Sequence, residues 1–163
     1  TVGPLSAPDD CGGGLMDLAA IPAALCEELR TIDNVRVYDG YQDAVFTGTG
    51  IAVVVRPGDP WVDYLGAMSG GQSTLRYVIE IAVQRANLRS AQTRLAELVS
   101  AGIGNTRSIY DAVKPDDLPQ TLGGLIDDLK LTQASGMTDK QYGTFEYLGV
   151  DIDVEMQATR LHA

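Results

Sequence analysis

The residues best able to do chemistry in this sequence are carboxylates. Three adjacent pairs stand out: Asp9-Asp10, Asp116-Asp117 and Asp127-Asp128. A fourth group, Asp151, Asp153 and Glu155, sits at alternate positions with Val150, Ile152, Val154 and Met156 between and around its members. General acid–base catalysis needs carboxyl groups that converge on a cleft, often with one of them desolvated. Adjacent acids in loops read more simply as solvated turn formers. The Asp151/Asp153/Glu155 row differs, because a β-strand turns every second side chain to the same face. That spacing sets neighbouring carboxylates about 7 Å apart, too wide for a tight calcium cage. The row therefore reads as an exposed sheet face, or as a surface lining a channel or meeting another subunit.

Other chemistries find less support. Thr47-Gly48-Thr49-Gly50 precedes an apolar run instead of following one, and Gly102-Ile103-Gly104 follows a helical pattern. Neither fits a dinucleotide fingerprint, and no glycine-lysine-serine/threonine phosphate loop occurs. Gly66-Ala67-Met68-Ser69-Gly70-Gly71 is one residue off a nucleophile elbow. The single histidine, His162, is the penultimate residue and reads as a solvated tail side chain. Cys11 and Cys26 form no CxxC pair, so no metal site or other cofactor is expected, and Cys26 reads as a small buried residue. Tyr38, Tyr41, Phe46, Trp61 and Tyr64 cluster near loops, where they serve either as packing groups or as interface anchors.

The elements that must position these groups follow from periodicity. The length of 163 residues suits one domain. Residues 1–20, rich in glycine, proline and aspartate, read as a flexible arm, leaving 21–163 as the domain. Leu25, Cys26, Leu29 and Ile32 make a helical stripe over 22–32. Strands are expected at 35–38, at 51–55 (a continuous apolar run, hence central) and at 75–85. Pro57-Gly58-Asp59-Pro60 should stop the second of these, with 61–72 as a linker. A helix at 88–101 capped by Asn87 and a shorter one capped by Asn105 or Thr106 come next.

The last forty residues close the chain. They read as a glycine-bearing turn at 121–124, a strand, a polar loop, and a long alternating strand from 145 to about 158. Phe145 and Tyr147 are apolar on odd numbers and the later apolar set is on even numbers, which predicts a β-bulge at Leu148-Gly149. The expected fold is α+β: one mostly antiparallel sheet of about five strands, two or three helices packed on it, and a long C-terminal β-hairpin.

A net charge of −10 argues against sequence-specific nucleic-acid binding, which needs lysine and arginine to neutralise phosphates. No apolar run approaches the ~18–20 residues of a membrane span, and no signal-peptide pattern is expected.

The order of these elements resembles the tail terminator proteins of long, non-contractile-tailed bacteriophages, especially those infecting actinobacteria. The resemblance rests on the helix at 22–32 running into Val35-Arg36-Val37-Tyr38-Asp39, the proline-terminated strand at 51–57, the strand and helices at 75–113, Thr121-Leu122-Gly123-Gly124, and Phe145-Glu146-Tyr147-Leu148-Gly149. It covers roughly residues 21–158 and includes no catalytic signature. It implies a six-fold homo-oligomeric ring at the head–tail junction of a virion, assembled in the host cytoplasm. Its partners would be the tail tube protein, a head-completion or connector protein, and genomic DNA that passes through the lumen without specific binding. On that reading Asp151, Asp153 and Glu155 face the lumen or a neighbouring subunit, while Tyr41, Phe46, Trp61 and Tyr64 contact subunits or tube. The alternatives are a head-completion or connector protein of similar fold, a monomeric small-ligand or peptide-binding α+β domain, and a small hydrolase using the carboxylates.

Overall fold

A computed structural model describes residues 18–32, 35–40, 50–64, 72–84, 88–100, 108–114, 120–142 and 145–159. Within them the chain is a mixed α+β fold with a six-stranded sheet and three helices. In chain order these are α1 (Ala20–Leu29), β1 (Val35–Asp39), β2 (Ile51–Asp63), β3 (Gln72–Gln84), α2 (Leu88–Val99), α3 (Ile109–Val113), β4 (Asp128–Ala134), β5 (Thr138–Tyr142) and β6 (Phe145–Thr159). The strand order is β1-β2-β3-β6-β4, and β5 also pairs with β6.

The sheet is mixed, in place of the mostly antiparallel one expected. β1 runs parallel to β2, whereas β2–β3, β3–β6, β4–β6 and β5–β6 are antiparallel. Periodicity shows that a strand exists but not its direction. A parallel connection needs roughly a dozen residues, and the segment 40–50 is of that order. The expected C-terminal hairpin joins the strand after the 121–124 turn to the strand from 145 across a polar loop; β4 pairs antiparallel with β6, but strand β5 stands within that loop, and residues 143–144 lie outside the described residues.

The core lies between one face of the sheet and the helices. Leu75, Tyr77, Ile79, Ile81 and Val83 of β3 alternate onto that face, as do Val150, Ile152, Val154 and Met156 of β6. Ile21, Leu25, Cys26 and Leu29 of α1, Leu95 and Leu98 of α2, and Ile109 and Val113 of α3 cover them. Helix α1 begins at Ala20, inside the stretch read as an arm, and Leu18 already packs partly against the core. Pro22 falls in its first turn, where an absent N–H breaks no intrahelical bond.

Two strand boundaries differ from the sequence reading. β2 continues through Pro57-Gly58-Asp59-Pro60 to Asp63, with a register shift between Pro57 and Val62 and a cis Asp59-Pro60 bond. β1 ends opposite Val55, so among the described residues the remainder of β2 is an edge paired only to β3. An edge tolerates proline because no ladder partner needs its missing N–H. The bulge expected at Leu148-Gly149 is not there: Val83, Ala82 and Ile81 pair in unbroken register with Leu148, Gly149 and Val150. The change of pattern comes from burial on both faces, since Tyr147 and Leu148 are both buried on opposite sides.

Caps and turns tie the pieces together. Helix α3 is capped by Ser108, not by Asn105 or Thr106, which lie outside the described residues. Its hydroxyl accepts from the Asp111 N–H and donates to the Ser100 carbonyl, which anchors the start of α3 to the end of α2. The turn at 121–124 has positive φ at Leu122, Gly123 and Gly124, and Ile126 N–H bonds back to the Thr121 carbonyl at 3.1 Å. Gln120 clips this turn to α3, donating to the Val113 carbonyl at 2.8 Å and accepting from the Leu122 N–H at 3.0 Å.

Two outcomes follow from this packing. Burial pushes the Cys26 thiol up to about 11, so little thiolate exists near neutrality. In a Cys11→Ser background, a thiol reagent at pH 8 should leave Cys26 unmodified until denaturant unfolds the chain; fast native labelling would contradict the packing. Asp128 has partial desolvation that raises its pKa, but the N–H groups of Gln120 and Leu129 and the Lys114 ammonium outweigh this and hold the carboxyl below its ordinary value. Its stabilising contribution is complete above the unfolded-state pKa of about 4 and is lost as pH falls through the lower folded-state value. Unfolding midpoints measured from pH 6 to pH 2 should therefore fall less steeply at the acid end for Asp128→Asn than for the parent chain.

Candidate functional site: an ion-pair network on the second sheet face

The structure places Asp151, Asp153 and Glu155 on one face of β6, opposite the helical core. In the β3–β6 register their partners are Glu80, Val78 and Arg76. Asp151 and Glu80 are thus two acids directly opposed across a ladder, an arrangement that repels unless cations intervene. Glu80 is buried, with its side chain 5% exposed, so its charge requires close partners.

Two cations supply them. Arg56, from β2, places Nε 3.2 Å from Glu80 Oε2 and Nη2 3.6 Å from Asp151 Oδ2. Lys140, from β5, places Nζ 3.2 Å from Glu80 Oε1 and 3.0 Å from Asp151 Oδ1. Each acid contacts both bases and each base both acids, which closes a four-membered ring across β2, β3, β6 and β5. Further along the face, Arg76 Nη2 lies 3.8 Å from Glu155 Oε2, and Gln133 Nε2 donates to Asp153 Oδ2 at 2.8 Å. The row that reads as an open acidic face in sequence is half-buried and has polar partners within the chain.

Lys140 reaches the ring because of Gly149. A Cβ at position 149 would stand 2.3 Å from Lys140 Cδ, 2.4 Å from Lys140 Cε and 2.8 Å from the Ile81 carbonyl oxygen. The glycine leaves the space through which the lysine stem crosses β6. Sequence reading missed Arg56, Arg76, Glu80 and Lys140. Glu80 alone carried a signal, as an acid inside the apolar run Tyr77-Val78-Ile79-Glu80-Ile81-Ala82-Val83. Lys140 lay in a segment read as polar loop, where strand β5 stands.

A shallow cleft of about 140 Å³ opens beside the row, lined among others by Gly58, Asp59, Arg76, Thr132, Asp153 and Glu155. Small-molecule sites are usually about 300–1,000 Å³, so this one suits a single side chain. No group of three or more histidine, cysteine, aspartate or glutamate side chains placed to hold a metal occurs among the described residues. The Asp127-Asp128 pair diverges: Asp127 accepts from Gln72 and Thr159, and Asp128 faces Lys114. Asp9-Asp10, Asp116-Asp117, Tyr41, Phe46 and His162 lie outside the described residues.

Trp61 and Tyr64 stand at the far end of β2, 39% and 55% exposed. Trp61 meets Tyr77 edge-on, with ring centroids 6.4 Å apart and planes at 81°. The Tyr77 hydroxyl is buried, and its pKa is raised, chiefly by that burial.

Gly149→Ala tests the Lys140 passage. The lysine stem can move aside, but the Ile81 carbonyl belongs to the central ladder and cannot. The variant should be destabilised by about 1–3 kcal/mol, read from the denaturant midpoint. A neutral or stabilised variant would show that the ladder at Ile81 gives way to a side chain at this position.

No protein-family model matches the chain, and no curated protein matches it either.

Proposed function

We propose that the chain is a structural virion protein, a ring-forming tail terminator. It would cap the head-proximal end of a phage tail tube, stop tube polymerisation and join the tail to the head connector while DNA passes through the ring. The resemblance in element order motivates this reading. The structural observation that carries it furthest is the overhanging end of β2, where Trp61 and Tyr64 present aromatic surface on an edge that β1 does not cover. Exposed tyrosine and tryptophan beside an open sheet edge are the features a neighbouring subunit would bury.

The ion-pair network alters what the acidic row would contribute. Asp151 and Glu155 are paired inside the protomer with Arg56, Lys140 and Arg76, so a lumen or interface built from this face would present alternating charge. Alternating charge specifies subunit register by complementarity, whereas a uniform acidic wall would act mainly by repelling DNA. We therefore assign the row to a subunit contact in preference to the lumen wall. The head-connector alternative shares these features. The ligand-binding alternative gains nothing from a cleft of about 140 Å³.

The test is assembly. Purified protein examined by light scattering and negative-stain electron microscopy should form rings of six protomers that bind the ends of tail tubes, and Trp61→Ala with Tyr64→Ala should shift the population to monomer without unfolding it. A parent protein that stays monomeric at tens of micromolar and ignores tube ends would overturn the assignment.

A further inference from the structure

Charge is balanced unevenly along the second face of the sheet. Around Glu80 and Asp151, two acids meet two bases at 3.0 to 3.6 Å. The cleft of about 140 Å³ further along is lined by three carboxylates, Asp59, Asp153 and Glu155, against one guanidinium, Arg76. Arg76 approaches Glu155 at 3.8 Å, Asp153 accepts from the neutral Gln133 amide, and Asp59 has no hydrogen bond or ion pair among the described residues. The backbone also shapes this cleft. The described ladders shift register at two places, between Pro57 and Val62 of β2 and between Leu131 and Gln133 of β4. Both irregularities border the cleft, through Gly58 and Asp59 from the first and Thr132 from the second, while the β3–β6 ladder between them is unbroken. The β2 bulge lies close on β3, since a Cβ at Gly58 would stand 3.0 Å from Arg76 Cβ. Bulges of this kind re-aim side chains beside functional sites.

A matching cation stands on the helical side of the sheet. Leu88 and Arg89 open α2, which buries Ala91, Leu95 and Leu98 in the core. Leu88 is 45% exposed; Arg89 is exposed and has no hydrogen bond or ion pair among the described residues. No acid stands in that first turn, where the helix dipole disfavours a cation. We propose that the cleft receives the Arg89 side chain of a second copy of the chain, its guanidinium meeting Asp59 and Asp153. Charge complementarity carries the inference: three carboxylates against one guanidinium leave two negative charges in the cleft, and Arg89 is a cation that its own helix does not stabilise. Such pairs fix partner and register across an interface. Lys130 is also exposed and without an ion pair among the described residues, but it already stands opposite Glu155 in the β4–β6 ladder, on the row it would have to balance. The cleft and Arg89 lie on opposite sides of the sheet, so the contact is head-to-tail, the type that closes into a ring when the rotation permits. The inference rests on the reading of the acidic row as a subunit contact, and it does not need the tail-terminator role.

Sedimentation equilibrium of the full chain and its charge variants tests the contact. Arg89→Glu and Asp153→Arg should each weaken self-association by about tenfold or more, and the two together should recover most of the loss, because the pair is rebuilt with its charges exchanged. Should Asp153→Arg not fold, Asp59→Arg on the exposed bulge takes its place. Association unchanged in Arg89→Glu would overturn the proposal, as would a double variant no tighter than the weaker single one. Dispersal by Lys130→Glu and not by Arg89→Glu would also overturn it, since the cleft would then take a lysine from the same sheet face across a two-fold contact. A parent chain that stays monomeric up to about 1 mM would do the same. Rings that persist in Arg89→Glu would sink this contact and leave the tail-terminator reading standing. Association that follows the charge exchange but never engages tube ends would sink that reading and leave this contact.

Discussion

The ladder between β3 and β6 is the constraint on which the other elements depend. Every residue of β3, from Gln72 to Gln84, pairs in continuous antiparallel register with β6, from Thr159 back to Tyr147. Because the side-chain period is two, that single register decides both faces of the sheet at once. It aligns Leu75, Tyr77, Ile79 and Ile81 with Met156, Val154, Ile152 and Val150 on the helical side. It also aligns Arg76 with Glu155 and Glu80 with Asp151 on the other side. A slip of one residue would put Glu80 among the helices and Ile79 in the charged network, so apolar burial and ion pairing select the same register.

The charged face shows how a costly group can be retained at the centre of a sheet. Glu80 lies in a strand whose neighbours are almost all apolar, and its carboxylate is nearly removed from water. Such a charge is tolerated only when its partners are close and its lone pairs are occupied. Here the partners come from strands distant in sequence, β2 and β5, which makes the ring a statement about topology. The ring can exist only if Arg56 and Lys140 arrive on the same face from opposite sides of the β3–β6 pair. Gly149 enters through the same requirement, because its missing side chain leaves the space that the Lys140 stem occupies on its way to Glu80. The presence of two cations also explains why the acids along β6 do not form a convergent, desolvated pair of the sort that acid–base catalysis uses.

The apolar side follows simpler physics. Helices α1, α2 and α3 contribute stripes of aliphatic side chains that meet the alternating face of the strands, and Ser108 and Gln120 tie the helical ends to each other and to the turn before β4. The end of β2 departs from this pattern. It extends past β1, carries prolines that only an edge tolerates, and presents Trp61 and Tyr64 at the surface while Trp61 still packs on Tyr77. Those residues belong at once to the core boundary and to the exposed end of β2.

Much of the secondary structure was legible in the residues alone. The stripes of α1 and α2, the apolar run of Ile51 to Val55, and the alternation of Leu75 to Val83 and of Val150 to Met156 are local patterns, and local patterns are written by one segment's own burial. β5 was not legible, because Thr138, Asp139 and Gln141 are exposed and leave no apolar period of two to read. The extension of β2 was hidden by prolines whose tolerance depends on where a neighbouring strand ends. The sequence by itself determined which stretches bury a face, that Asp151, Asp153 and Glu155 share a side, and that the chain carries a strong negative charge. Only the tertiary structure decided that β1 and β2 run parallel, that the acidic row meets Arg56, Arg76 and Lys140, and that Gly149 opens a passage where a bulge was expected. The reason is physical: strand direction, cross-strand partners and the clearance over a glycine are properties of pairs of segments, set by register and connection and absent from the pattern of either segment alone.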